Sequence, residues 1–191
     1  MALPAPTGWR LWLGVAAMTL GLALAAQQLI PMLYKPASST PDAQPLQSAD
    51  PAIRLTEVGG GVLTIYVDVT GAKDAADNFD KAGSIVSAVG QALQHGVSDR
   101  LQGVRTVRFS IRCQAINRFG QDVMAQLVTL ETPLPALKGV DYAKARPADV
   151  LGLAQTVMLG APGAYDAIAA WCADPARSGK AFCGKANSSS P

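Results

Sequence analysis

Between Leu11 and Tyr34 the chain runs 24 residues without a charge, LWLGVAAMTLGLALAAQQLIPMLY. As a helix rising about 1.5 Å per residue this stretch reaches roughly 36 Å, enough to cross a hydrocarbon core about 30 Å thick. Trp9 and Trp12 stand at one end and Tyr34 at the other, where amphipathic aromatics settle at membrane interfaces. The same residues also permit a cleaved signal peptide, with Ala23-Leu24-Ala25 as the small-residue box. The apolar run continues past that box through Leu29, Ile30, Met32 and Leu33, and Lys35 closes it. We therefore read 11–34 as an uncleaved anchor behind a short tail, 1–10. The expected location is the inner (cytoplasmic) membrane, single-pass, with the C-terminal domain in the periplasm. Cleavage and release to the periplasm is the alternative.

Residues 35–52 carry four prolines among Ser, Ala and polar residues and show no periodic apolar face. Such a composition buries too little surface to offset chain entropy, so it reads as a tether. Residues 184–191, GKANSSSP, read as a disordered tail. Of 16 basic residues, Arg10 and Lys35 flank the apolar run, and all 14 acids lie beyond Pro36. The remainder is therefore neutral, which argues against nucleic acid as a partner.

Residues 53–183 are expected to form one α+β domain. Ile53–Val58 and Val62–Val69 flank Gly59-Gly60-Gly61, a hairpin pattern. In the second run Leu63, Ile65, Val67 and Val69 alternate with Thr64, Tyr66 and Asp68, the period of a half-buried strand. From Asp74 to Leu101 apolar residues recur at helical spacing, with Gly83 and Gly90 on one side for close packing on the sheet. Val104–Ile116 alternates strictly: Val107, Phe109, Ile111 and Cys113 on one face, Arg108, Ser110, Arg112 and Gln114 on the other. Asp122–Glu131 is its partner strand, and 135–146 a loop. A helix from Pro147 is expected to carry Val150, Leu151, Ala154, Val157 and Met158, with a second over Ala164–Ala173. The order β-β-α-β-β-α-α predicts a two-layer sandwich on an antiparallel four-stranded sheet.

Candidate chemistry is sparse. Cys172 and Cys183, in an exported chain, are expected to form a disulfide. Cys113 falls on an apolar strand face and reads as a core residue. His95 lies late in the long helix. Asp74, Asp77 and Asp80 favour a helix N-terminus through its dipole and lack the spacing of a calcium loop. No catalytic residue, cofactor site or metal site is assigned, and the chain is not expected to be an enzyme. The candidate interface is the second sheet face, with Tyr66, Arg108, Ser110 and Arg112, where Asp68 is available to pair across strands. Arg and Tyr are enriched at protein interfaces. Reversing Arg108 and Arg112 to glutamate is expected to leave stability nearly unchanged. The expected function is an envelope interaction domain, an accessory part of a protein assembly, membrane-bound through 11–34 and open to self-association. The alternative is an exported small-molecule or peptidoglycan-binding domain with its site near 135–146.

Overall fold

A computed structural model of the chain describes residue 46 and residues 48–97, 101–160, 162–177 and 179–188. The expected anchor, 11–34, lies outside the described residues. Among those described, no helix is long and apolar enough to cross a membrane.

The fold is α+β, on a five-stranded mixed sheet. Strands β1 (Ile53–Gly59) and β2 (Val62–Val69) form the expected hairpin. Gly60 and Gly61 turn it at φ of 60° and 78°, the left-handed region that a two-residue hairpin loop demands. Helix α1 (Asp77–Ala92) follows, ending in a π-helical turn, Leu93–Val97. Strands β3 (Thr106–Ile116) and β4 (Asp122–Pro133) pair antiparallel. Short helices α2 (Leu134–Lys138) and α3 (Pro147–Leu151) lead into β5 (Thr156–Leu159). Helices α4 (Pro162–Ala173) and α5 (Lys180–Ser188) close the chain.

Two sheet expectations are corrected. The sheet is not wholly antiparallel, because β2 and β3 run parallel. Helix α1 carries the chain back along the sheet, so β3 starts at the end where β2 started, as a crossover connection requires. There are five strands rather than four. Thr156–Leu159, expected within a helix, instead pairs with β4, and Gln155 N–H and Gly160 N–H donate to the carbonyls of Glu131 and Leu127 at 2.7 and 3.0 Å.

The helix-facing side of the sheet is the core. Leu63, Ile65, Val67, Val107, Phe109, Ile111, Val128 and Leu130 are buried there, against Phe79, Val86 and Val89 of α1 and Ile168 and Trp171 of α4. Phe79, Trp171 and Phe182 meet with ring centroids 5.7–5.9 Å apart. Beside them the Cys172–Cys183 disulfide joins α4 to α5, with Cα atoms 5.9 Å apart. A closed loop of this length stabilises by about 3 kcal/mol in the chain-entropy account.

Both ends of the domain carry more structure than composition implies. Leu46, read as tether, is fully buried in the core. Gly184–Ser188, read as tail, continue α5, where Ala186 is fully buried and Lys185 Nζ donates to the carbonyls of Gly152 and Ala154. Gly83 and Gly90 do allow close packing, but of the start of α3 and the segment before it rather than of the sheet. A Cβ on Gly83 would stand 3.0 Å from the Pro147 carbonyl oxygen, and one on Gly90 would overlap the Tyr142 phenol.

Candidate functional site

The sheet face turned away from the helices is where the sequence placed its candidate interface. The parallel register sets Thr64 beside Arg108, Tyr66 beside Ser110 and Asp68 beside Arg112. The antiparallel register sets Arg108 opposite Glu131, Ser110 opposite Thr129 and Arg112 opposite Gln126. Side chains alternate along a strand, so Tyr66, Arg108, Ser110 and Arg112 form one contiguous patch across β2 and β3. Tyr66, Arg108 and Ser110 are half-buried and Arg112 is exposed.

The charges on this face are matched locally. Arg112 makes a two-pronged contact with Asp68, Nε to Oδ1 at 2.8 Å and Nη2 to Oδ2 at 3.0 Å. Arg54 adds a third, Nε to Oδ2 at 3.2 Å. It reaches Asp68 because the β1 register shifts between Ile53 and Leu55. The Asp68 side chain is only 9% exposed, so its two cations supply what water would otherwise provide. Arg108 donates to Glu131 Oε1 through Nε at 2.9 Å and Nη2 at 2.6 Å. Tyr66 donates its hydroxyl to Glu57 at 3.0 Å. Burial first, then that carboxylate, raises the phenol above its ordinary range.

This geometry changes one expectation. Arg112 is not a free surface charge, because it neutralises a nearly buried carboxylate. Glutamate at position 112 would set two carboxylates side by side, and the fold itself would lose stability. Ser110 bears no such load: its hydroxyl has a long 3.4 Å contact with Gln126 Oε1. Gln126 fills the β3–β4 irregularity, its Nε2 donating to the carbonyls of Ile111 and Val128. Sequence gave no signal for this plug, since the irregularity between Ile111 and Arg112 arises only on pairing.

The other candidates are dispersed. Cys113 is buried and outside the disulfide, and burial pushes its thiol up. His95 is exposed on the π-helical turn. Asp74 caps the Asp77 N–H at 2.7 Å, and Asp77 accepts the Lys73 N–H at 2.8 Å. Asp80 instead binds Trp171 and Arg177. Among the described residues no three His, Cys, Asp or Glu side chains gather into a metal-binding group. The 135–146 segment, the alternative ligand site, is pinned onto the domain. Tyr142 donates to the Leu137 carbonyl, and Gln94 to those of Lys138 and Val140.

No family model, curated protein or solved structure matches the chain.

Proposed function

We propose that the chain is a membrane-anchored, extracytoplasmic interaction domain, an accessory component of a cell-envelope protein assembly, docking through its helix-free sheet face. The observation that carries this reading is the patch of Tyr66, Arg108, Ser110 and Arg112 in adjacent register on β2 and β3. Its arginines are already oriented by Glu131 and Asp68, so little side-chain entropy is lost on docking. A charge-balanced face of this kind favours a protein surface of mixed polarity over a polyanion.

A photo-crosslinking amino acid at Tyr66, in the full-length chain in its native envelope, tests the proposal. It should give one discrete adduct, absent when the crosslinker sits at exposed Asp166 on α4. Ser110→Glu should abolish the adduct by adding bulk and charge at the centre of the patch, with stability changed by no more than about 0.5 kcal/mol. An adduct of twice the chain mass would identify the partner as a second copy. No adduct at Tyr66, or one untouched by Ser110→Glu, would overturn the docking role of this face.

A further inference from the structure

A cavity of about 600 Å³ opens at the ends of β2 and β3 where the parallel pair finishes, between the segment preceding α1 and the start of α4. Its size falls within the range of small-molecule sites. Crevices beyond the carboxyl ends of parallel strands are where such sites form in crossover folds. The space exists because alanines converge on it from separate parts of the fold: Ala72 and Ala75 before α1, Ala115 on β3, Ala125 on β4, and Ala164 and Ala167 on α4.

One nearly buried polar side chain on this wall is left open. Asn78 is only 8% exposed and lines the cavity. Its Nδ2 makes a long 3.4 Å contact with the Ala75 carbonyl, and its Oδ1 accepts no hydrogen bond from any described residue. Two neighbouring amides are engaged: Gln126 is bound within the β3–β4 irregularity, and Asn117 Oδ1 accepts the Phe119 and Gln121 N–H groups. Gln114 is exposed at the rim, with only a 3.5 Å contact from the Gly71 N–H to its Oε1. Among the described lining residues the one charged group is Asp74. Its Oδ1 caps Asp77, and its Oδ2 stands 3.9 Å from Arg177.

We infer that this cavity binds an uncharged small molecule with a compact apolar body and one hydrogen-bond donor, a hydroxyl or amide N–H, which Asn78 Oδ1 accepts. The alanine walls take the apolar body by excluding water. An open acceptor inside a largely apolar wall selects for a donor, because a ligand without one leaves the carbonyl unpaired. Asp74 at the cavity selects against anions. This site adjoins the sheet-face patch through Gln126 but contains none of its four residues, and it stands whether or not that face docks a protein.

Cys113 also lines the cavity, and with Cys172 and Cys183 joined it is the remaining thiol. Its alkylation by iodoacetamide, read by intact mass on the full-length oxidised chain, therefore reports occupancy. Three matched probes separate the chemistry: 2-naphthol, 2-methoxynaphthalene, which lacks the donor, and 2-naphthoate, which is anionic. We expect 2-naphthol to slow alkylation saturably, the methoxy compound to need roughly five- to tenfold more, and naphthoate to give no protection. Asn78→Leu should bring naphthol down to the level of the methoxy compound. Ala125→Phe, which fills the cavity, should remove the dependence on naphthol while the melting temperature holds. The wild-type comparison decides by itself if either variant fails to fold. No protection by any probe, equal protection by all three, or protection that survives in a folded Ala125→Phe variant would overturn the assignment.

Discussion

Asp80 offers a sharp test of how the last helices are held. It lies in the first turn of α1, where a carboxylate complements the helix dipole for about 0.3–1 kcal/mol. The structure gives it a larger task. Trp171 is fully buried, and its indole N–H donates to Asp80 Oδ1 at 2.7 Å. Arg177 donates to Oδ2, with Nε at 2.8 Å. Asp80→Ala orphans the indole N–H inside the core, costing about 1–3 kcal/mol. Loss of the Arg177 pair adds less than about 1 kcal/mol, since both side chains are about one-third exposed. The expected total is about 2–4 kcal/mol. Asp80→Asn keeps a carbonyl for Trp171 and loses only the charge, so it should cost about 1 kcal/mol. Urea unfolding followed by far-ultraviolet circular dichroism, at constant m value, measures both. If the two variants fall within about 0.5 kcal/mol of each other, the dipole accounts for Asp80 and the Trp171 argument is wrong.

Two further expectations follow from buried polar groups. Burial raises the Tyr142 phenol from 10.0 to about 12. The folded chain therefore holds this proton more tightly than the unfolded one, and stability should fall as pH rises from about 10 to about 12. Tyr142→Phe should remove that component, together with the last tyrosinate step in absorbance at 295 nm, at a neutral-pH cost of about 1 kcal/mol for the lost bond to Leu137. Thr56 is fully buried on β1, and its hydroxyl has no hydrogen-bond partner among the described residues. Thr56→Val should therefore raise stability by roughly 0.5–1.5 kcal/mol in the same denaturation assay, and a loss of stability would show that the hydroxyl is satisfied in solution.

What sequence reveals depends on how far each signal reaches along the chain. The alternation of Val107, Phe109, Ile111 and Cys113 against Arg108, Ser110 and Arg112 is local, and both faces of β3 follow from it. The Cys172–Cys183 link was likewise legible from spacing. The parallel pairing of β2 with β3 depended on the helix between them, whose length returns the chain to its starting end, and the hairpin patterns on either side obscured it. Thr156–Leu159 spans four residues, with Val157 buried and Met158 exposed, too few to establish a period against the helical residues before it. Leu46 stands among prolines and serines, and only its pocket in the folded domain marks it as core. The cavity was illegible for a related reason: alanines suit almost any environment, and their convergence exists only in three dimensions.

The spatial order of the strands repeats their order along the chain, from β1 to β5. Each strand that emerges during synthesis therefore finds its neighbour already present, and sheet growth needs no search for a distant partner. The aromatic seal works on a different clock. Phe79 arrives early, while Trp171 and Phe182 arrive about ninety and one hundred residues later. Until then, one side of α1 presents a bare phenylalanine and an unmatched Asp80 to whatever is nearby, which is the kind of surface that holdase chaperones bind and that drives premature association. Helices α4 and α5 thus act as a closing clasp, and oxidation of Cys172 with Cys183 fastens it after the sheet is complete.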